Sequence, residues 1–450
     1  MIRPNCASTA FACSGAAHMH RRAAMRLAGL SGLNWLTPLA TCLARQEQRF
    51  DGPAKSVILL WLEGGPSQLE TFDPHPDTEI AAGSRARKTR VDGVLLGEGL
   101  EQLADQMDSL SIVRALTVEE GDHERAIYNV KTGYRPDPTL VHPALGSVIC
   151  HQFQAVDTDM VDVPRHVSIL PGSFPGRGGY LGDNLDAFRL GDPIHELPDM
   201  KAQVSQERQT QRLKDLERLN QKFSAGRFKS PGARGLPEVG NLQAALRMMT
   251  SQQLAAFDVS GVADSHRLKY GDTPFGRGCL AALQLIQSGV RCVEVTLSGW
   301  DTHVDNHQLH AQQIKILDPA FASLISDLKE RELLSSTIVL CAGEFGRTPW
   351  LNALEGRDHW PHGFAAAIAG GGIRGGIAVG RSSSYPQRDR PDPKADLEAA
   401  RPVEDLHATV LNLLGVDYQS ELITPIGRPM KLSQGTPIKE LLQSKQQPNS

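Results

Sequence analysis

The sequence lacks several features that would indicate particular protein classes. Its seven cysteines are scattered and form no CxxC pair, which argues against a zinc ribbon and against a disulfide framework. Aromatic residues make up only 5% of the chain, and 47 basic residues nearly balance 51 acidic ones. We therefore expect no nucleic-acid partner, since that would need a basic stripe or a base-stacking surface. The 40% of hydrophobic residues in 450 is ample for a large buried core.

The N-terminal segment is typical of an export signal. Arg21 and Arg22 precede a weakly apolar stretch at 23–43, a pattern that resembles a twin-arginine signal. We predict a signal at 1–44, cleaved after about Ala44, and the alternative is an ordinary amphipathic helix. No other apolar stretch is long enough to cross a membrane. The expected product is exported to the periplasm or cell surface, with no stable membrane span after signal removal.

Four short apolar runs each end in glycine-rich turns and are interpreted as strands buried on both faces: 56–62, 291–297, 337–342 and 364–369. Helical patterns lie between or after them, at 279–288, 310–333 and 406–414. This alternation predicts an α/β fold, a three-layer sandwich around a mainly parallel central sheet. In such sheets the ligand lies beyond the carboxyl ends of the strands.

One domain is predicted for 50–445, with a helical insertion at about 200–260. Within this insertion, 203–222 is highly charged and is interpreted as an exposed helix, and 241–257 as a second helix.

The loop after the first strand offers oxygen ligands. Glu63, Ser67 and Asp73 surround two adjacent glycines, which let a backbone approach a ligand closely. The alternative is a tight turn in which Ser67 caps toward Glu70. For Ser67 the capping role is favoured.

The loop after the second run carries alternating acidic and histidine residues. Asp301, His303, Asp305 and His307 stand at every second position, so three or four of them are expected to converge on one divalent ion. Carboxylate and imidazole ligands suit Zn, Mn or Fe better than Ca. A satisfied polar turn is the alternative.

The third loop places Glu344 and Arg347 directly after a buried strand. Either the two form an ion pair, or Glu344 binds a metal and Arg347 holds an anionic group. The fourth loop groups Asp358, His359 and His362, of which at least one is expected to be functional.

Two further histidines stand near predicted helix starts. His123 follows Gly121 and Asp122, in a loop that feeds a helix N-terminus, where anions and nucleophiles are usually held. His407 lies in the first turn of the last helix, where a cap formed by Asp405 is the structural alternative.

These segments together resemble one protein family. The motifs LWLEGGPSQLETFDP, HERAIYNVKTG, SGWDTH, GEFGRTPWLN, GRDHWPHGFAAAIAGGGIRGG and DLHATVLNLLGVD occur in order over about residues 50–445. They resemble the domain-of-unknown-function family 1501, an exported bacterial family of the alkaline-phosphatase/sulfatase superfamily. The resemblance implies the superfamily fold and a pocket, and it leaves the reaction open.

The superfamily uses one or two metal sites and a nucleophile at a helix start, and the resemblance carries these roles onto particular residues. Glu63 stands where the first-strand ligand is usually aspartate, and His123 stands in the nucleophile slot, where no serine, threonine or cysteine is present. His123 is then either a nucleophile that accepts the phosphate group or a metal ligand. The third alternative is that its presence marks a protein that has lost the superfamily's reaction. By the same resemblance, Asp301 and His303 stand where the superfamily has a pair of metal ligands. Glu344 stands at the next ligand position, and His359 at that of a later metal-binding histidine. Phe345 follows Glu344 and cannot ligate, so a full two-metal site is not expected.

Two classes of function follow from these residues. The first is a metal-dependent hydrolase of phosphate or sulfate esters, with His123 and Arg347 as catalytic residues and a divalent ion as cofactor. The second is a non-catalytic relative that binds a sulfated or phosphorylated glycan or a surface partner.

Overall fold

The computed structural model describes residues 53–154, 161–198, 200, 204–227 and 237–443. The predicted export signal at 1–44 lies outside the described residues. Within the part of the chain that is described, no helix combines the length and apolar character needed to cross a membrane.

The centre of the molecule is a nine-stranded sheet. Its strands, numbered along the chain, are β1 Ser56–Glu63, β2 Leu110–Thr117, β3 His166–Ile169, β4 Phe188–Leu190, β5 Cys292–Ser298, β6 Thr337–Ala342, β7 Phe364–Ala369, β8 Ile377–Val379 and β9 Arg401–Pro402. In space their order is β8-β2-β7-β6-β1-β5-β3-β4, and β9 pairs with β2. All four predicted strands are present. The other five strands, β2, β3, β4, β8 and β9, were not predicted from the sequence.

Most strand pairs are parallel, which confirms the predicted fold class. β1 pairs in parallel with β5 and β6, and β3 pairs in parallel with β4 and β5. β7 is the exception, since it runs antiparallel to both of its neighbours, β2 and β6. Two parallel neighbouring strands need a long crossover connection, which is usually a helix. The segment between β6 and β7, which the structure describes throughout, contains only a small two-stranded ribbon and no helix, so β7 runs in the opposite direction to β6.

The reversed strand matters for the site. Because β7 is antiparallel, its first residues lie at the same edge of the sheet as the last residues of β1, β2, β5 and β6. Loops that follow four strands and the loop that precedes β7 therefore meet at one edge. This edge gathers His123, Asp301, Glu344 and His359.

The helices cover both faces of the sheet. They are α1 Glu101–Ala104, α2 His123–Thr132, α3 Leu145–Phe153, α4 Gln206–Arg227, α5 Pro237–Thr250, α6 Asp264–Lys269, α7 Pro274–Gln287, α8 Asn306–Glu330 and α9 Val403–Leu413. α7 and α8 pack on one face with Ile58 and Leu60 of β1, whereas α2, α3 and α9 pack on the other with Val57 and Trp61. Alternate residues of β1 thus point into two cores, as a sheet buried on both sides requires.

The helices predicted from sequence are present with shifted ends. α7 begins earlier than expected, because the Thr273 side chain accepts a hydrogen bond from Gly276 N–H at 3.1 Å and Pro274 follows as the first helical residue. In the segment 200–260 the helices are α4 and α5, followed by a 3-10 turn at Gln252–Phe257.

Candidate metal centre

Three side chains meet at the loop-bearing edge of the sheet. His123 is the first residue of α2, Asp301 follows β5, and His359 lies in the ribbon that precedes β7. One ligand atom from each lies within 4.8 Å of the others, a spacing at which one metal ion can be held. The Asp301 carboxylate is central, with Oδ2 at 3.4 Å from His123 Nε2 and Oδ1 at 3.5 Å from His359 Nε2. We call these three residues the metal group.

His123 is oriented by a buried carboxylate. Its Nδ1 lies 2.7 Å from Glu344 Oε1, so Nδ1–H donates and Nε2 is left facing Asp301. Nε2 is buried and has no hydrogen-bond partner among the described residues. The hydrogen bond to Glu344, and then its charge, raise the pKa of His123 although partial burial lowers it. This imidazole with a carboxylate behind it is a common arrangement for a metal ligand.

Glu344 lies behind His123. It is completely buried, and its Oε1 also accepts a hydrogen bond from Gly64 N–H at 2.9 Å. Glu344 is not in the metal group, and its contact with His123 is that of a carboxylate that orients a ligand. Direct binding through its buried Oε2, which has no hydrogen-bond partner among the described residues, stays a prediction. The predicted alternative, a Glu344–Arg347 ion pair, is not formed, because Glu344 pairs with His123 and Arg347 with Asp301.

His359 is oriented by the backbone. Its Nδ1 lies 2.9 Å from the carbonyl oxygen of Gly121, so Nδ1–H donates and the lone pair of Nε2 faces Asp301. Burial lowers the pKa of His359, and the charges of Arg347 and His123 lower it further. The neutral imidazole that a metal requires is therefore favoured at this position. A hydrogen bond from a histidine ring to a backbone carbonyl, such as that of Gly121, cannot be predicted from the sequence, because every residue has such a carbonyl.

Asp301 is held by Arg347. Arg347 Nη2 donates to Asp301 Oδ1 at 2.6 Å. Partial burial raises the pKa of Asp301, but the hydrogen bond and charge of Arg347 outweigh it and lower the pKa below its usual range. The carboxylate thus stays ionised and fixed in direction.

Arg347 lies behind Asp301. Its side chain is completely buried, and it donates to the carbonyl oxygens of Gly65 at 2.8 Å, of Arg357 at 3.0 Å and of Gly64. Together with Asp301 these acceptors surround the guanidinium. These contacts favour a role in positioning Asp301, and a clamp for anionic oxygens stays a prediction.

His303 lies beside the metal group. Its Nε2 is 3.1 Å from both Asp301 Oδ1 and His359 Nε2, and its Nδ1 is 3.0 Å from Asp358 Oδ1. The hydrogen bond from His303 is the main cause that lowers the pKa of Asp358, which also accepts from Asn352 at 3.2 Å. His303 and Asp358 are both about half exposed, so this pair faces solvent next to the predicted ion.

Phe345 forms one wall of the group. It is completely buried, and its ring centroid lies 5.0 Å from that of His123 and 4.5 Å from that of His359. Gly65, at φ +70°, packs so closely that an added Cβ would lie 2.7 Å from the Phe345 ring. The glycine turn after β1 therefore makes room for this wall.

The sequence of residues 54–442 matches one family model, described as protein of unknown function, DUF1501. The chain belongs to this family. The match covers the segment in which the motifs of the metal group occur, and it confirms the resemblance inferred from sequence. No match was found among curated proteins.

Several solved structures resemble this DUF1501 chain. The lipoteichoic acid synthase LtaP from Listeria monocytogenes shares 10% identity over 82% of this chain and 74% of its own, with a TM-score of 0.38. A protein in the alkaline phosphatase superfamily from Vibrio parahaemolyticus shares 13% over 81% and 67%, with a TM-score of 0.34. The C-terminal periplasmic domain of EcEptC from Escherichia coli, in complex with Zn, shares 10% over 88% and 93%, with a TM-score of 0.36.

Glu63 is not brought to the metal group of the DUF1501 chain. Its Oε1 accepts a hydrogen bond from Ser173 N–H at 2.7 Å, and its Oε2 accepts one from the Ser298 hydroxyl at 2.6 Å. Burial raises the pKa of Glu63, but these hydrogen bonds outweigh it and lower the pKa. Both carboxylate oxygens accept hydrogen bonds, so in this structure Glu63 links the ends of β1 and β5, and its role as a metal ligand stays a prediction.

The other pocket candidates also lie outside the metal group. Ser67 is completely buried, and its N–H donates to His310 Nε2 at 2.8 Å. His307 is 3.2 Å from Glu70 and lines a separate cavity of about 370 Å³. His362 packs edge-on against Trp360 with centroids 5.0 Å apart.

His407 is a core residue. It is buried, and its Nε2–H donates to the Val130 carbonyl at 2.7 Å, which joins α9 to α2. Burial lowers the pKa of His407 to about 4. The first turn of α9 is not capped by Asp405, since the cap position is Pro402 and Asp405 accepts from Thr436 N–H at 2.8 Å.

The donor set fits a divalent transition metal. Two imidazole nitrogens and one carboxylate oxygen are ligands that Zn, Mn and Fe share. Three protein ligands with an open fourth position are typical of catalytic zinc rather than structural zinc. The buried Nε2 of His123, which makes no hydrogen bond with the described residues and lies 3.4 Å from Asp301 Oδ2, is the observation that most favours an ion, because an unsatisfied buried polar atom is costly.

Proposed function

We propose that the protein is an exported, metal-dependent hydrolase that acts on phosphate or sulfate esters. The observation that supports this most strongly is the metal group, in which His123 and His359 turn their Nε2 atoms toward Asp301 while Glu344 and Gly121 hold their other ring nitrogens. A set of ligands that is oriented in advance costs little to organise when the ion binds.

His123, Asp301 and His359 would hold the ion. A divalent ion bound there lowers the pKa of a coordinated water and stabilises negative charge on an ester oxygen. His303 would move the proton, because its Nε2 faces the group and its Nδ1–H is held by the Asp358 carboxylate.

His123 serves as a ligand and not as a nucleophile in this proposal. Its Nδ1 is bonded to Glu344 and its Nε2 is directed at Asp301, so neither nitrogen is turned toward an incoming ester. We therefore favour direct attack by water over a covalent intermediate on His123.

The bound ion would itself be the point of attachment for an anionic substrate. A divalent ion and Arg347 together balance the carboxylates of Asp301, Glu344 and Asp358, so the open coordination position of the ion is where a phosphate or sulfate oxygen would bind. In the glycan-binding alternative, the same ion holds a sulfated or phosphorylated sugar without turnover. Phe345 in place of a second ligand is the observation that favours this alternative.

Export is part of the proposal and rests on Arg21 and Arg22 and the apolar stretch that follows. Fractionation of cells that express the full chain would find the protein in the periplasm or at the surface, and Arg21→Lys/Arg22→Lys would retain it in the cytoplasm.

The test combines metal analysis with turnover. We expect about one Zn, Mn or Fe per chain in the purified mature protein, loss of that metal in Asp301→Ala/His359→Ala, and retention in the matched control His362→Ala. Hydrolysis of p-nitrophenyl phosphate or sulfate should then follow metal content and be abolished by chelator. Bound metal without turnover on any phosphate or sulfate ester would favour the glycan-binding alternative. A wild-type protein that binds no metal after reloading would contradict both the metal group and the hydrolase.

A further inference from the structure

A second cluster of polar side chains shares no residue with the metal group. Asp73, His75 and Arg114 meet Ser382 and Ser384 from a loop that follows β8. His75 Nε2 is 2.9 Å from Ser382 Oγ, and its Nδ1 is 2.9 Å from Ser384 Oγ. Ser382 Oγ is in turn 2.5 Å from Asp73 Oδ2. We call these four residues, Asp73, Ser382, His75 and Ser384, the serine relay.

Asp73 sets the direction of every hydrogen bond in the relay. Its carboxylate lies 3.3 Å from Arg114 Nε and is 2% exposed, so it is a buried anion paired with a guanidinium and only accepts. The Ser382 hydroxyl must therefore donate to Asp73. Its remaining lone pairs accept from His75 Nε2–H, which leaves Nδ1 without a proton.

This tautomer of His75 determines the hydrogen bond that Ser384 makes. Because Nδ1 of His75 carries a lone pair, the Ser384 hydroxyl donates to it at 2.9 Å. A serine that donates to an imidazole whose other nitrogen is tied to a carboxylate is the arrangement that activates a hydroxyl as a nucleophile. Here one serine, Ser382, stands between the imidazole and the carboxylate.

The relay has the exposure that a reactive serine requires. His75 and Asp73 are buried, which keeps the relay away from water, and Ser384 is half-buried at the surface end. Within the described residues, no lysine or arginine donates to Ser384 Oγ, whose partner is His75. A neutral ester needs no counter-charge at this hydroxyl and is therefore the better match.

We propose that Ser384 is the nucleophile of a second, metal-independent site, with His75 as general base, that acts on neutral carboxylic esters. Ser384 Oγ attacks the carbonyl carbon and its proton passes to His75 Nδ1. The bond from carbon to the alcohol oxygen then breaks, and the leaving oxygen takes that proton from Nδ1. This leaves an acyl ester on Ser384 and a free alcohol. Water completes the cycle by the same two steps, releasing the carboxylic acid and restoring the Ser384 hydroxyl.

Ser383 provides a matched control. It lies between the two relay serines, but its Oγ accepts a hydrogen bond from Tyr385 N–H at 3.0 Å and is thereby committed to the turn. Ser383→Ala removes a hydroxyl from the same loop and leaves His75 and its partners in place.

The experiment is covalent labelling of the full chain with a fluorophosphonate probe, with the labelled peptide identified by mass spectrometry. We expect label on Ser384 in the wild type and in Ser383→Ala. Ser384→Ala should lose it, and His75→Gln should be labelled at least about tenfold more slowly. Ser382→Ala, which separates His75 from Asp73, should slow labelling while the thermal midpoint stays close to that of Ser383→Ala. The same order of rates is expected for hydrolysis of p-nitrophenyl acetate.

The metal site serves to separate the two activities. Asp301→Ala/His359→Ala and chelator treatment should leave the labelling of Ser384 unchanged. The proposal is overturned if wild-type Ser384 stays unlabelled under conditions that label a reference serine hydrolase. It is equally overturned if Ser384→Ala and Ser383→Ala hydrolyse the acetate at the same rate.

Discussion

Arg347 donates a hydrogen bond of 2.6 Å to Asp301 from a completely buried position. The guanidinium is enclosed by backbone carbonyls from the Gly64-Gly65 turn and from Arg357, so the loops after β1 and β6 and the loop before β7 are joined through one side chain. The direction of the central carboxylate in the metal group therefore depends on a residue that no ligand reaches.

Arg347→Lys is expected to weaken metal binding and to destabilise the fold. Lysine keeps the charge but cannot reproduce a planar fork of donors, so buried carbonyls lose their partners. A buried acceptor left without a partner typically costs about 1–3 kcal/mol. Urea unfolding and metal titration measure the two effects, with the exposed Arg388→Lys as control. An Arg347→Lys protein with wild-type affinity and stability would contradict the positioning role.

His303→Ala should separate binding from turnover. Because His303 lies beside the three ligands, the variant is expected to keep its metal while its turnover falls by about 10²–10⁴, the usual contribution of a general base. Asp358→Asn should show a smaller loss. Loss of the metal together with activity would instead identify His303 as a fourth ligand.

Glu344→Gln should lower the metal affinity of the protein by about 10–100-fold, the typical effect of removing the partner behind a histidine ligand. The glutamine oxygen still accepts from His123 Nδ1–H, so the ring direction is kept while the negative charge that favours a basic imidazole is lost. Competition with a chromogenic chelator measures the affinity. Glu120→Gln makes the same change at a carboxylate that pairs with Arg125 and Arg135, and controls for the loss of a negative charge.

His407 predicts a pH dependence of stability. Its pKa is about 4 in the folded protein, below the value of about 6.5 in an unfolded chain, so the unfolded state binds more protons between these values. The stability contributed by the neutral ring is complete above pH of about 6.5 and is lost as the pH falls toward 4. His407→Gln should reduce the slope of the unfolding free energy against pH in this window by up to about 1.4 kcal/mol per pH unit. Val410→Ala destabilises the same helix without removing a titrating group and should keep the slope.

Four strands of the central sheet were predicted from short apolar runs in the sequence. The segments that became β1, β5, β6 and β7 are buried on both faces and end in glycine turns, and these are local properties of the chain. The antiparallel direction of β7 was not predicted, since it depends on the connection between β6 and β7 and not on the composition of the strand. β2 and β3 were not predicted from the sequence. Their place in the sheet depends on partner strands that are far away along the chain.

The candidate site shows the same division. The sequence alone determined the family, the α/β class and the loops that carry acidic and histidine residues, because glycine turns and apolar runs act over a few residues. Only the tertiary structure decided which of these side chains lie together in the metal group and which lie behind them. Glu63 and Glu344 both follow buried strands, yet one is bonded to Ser298 and the other to His123. Such roles depend on distances between loops more than two hundred residues apart, and those distances exist only after the sheet has brought the loops to one edge.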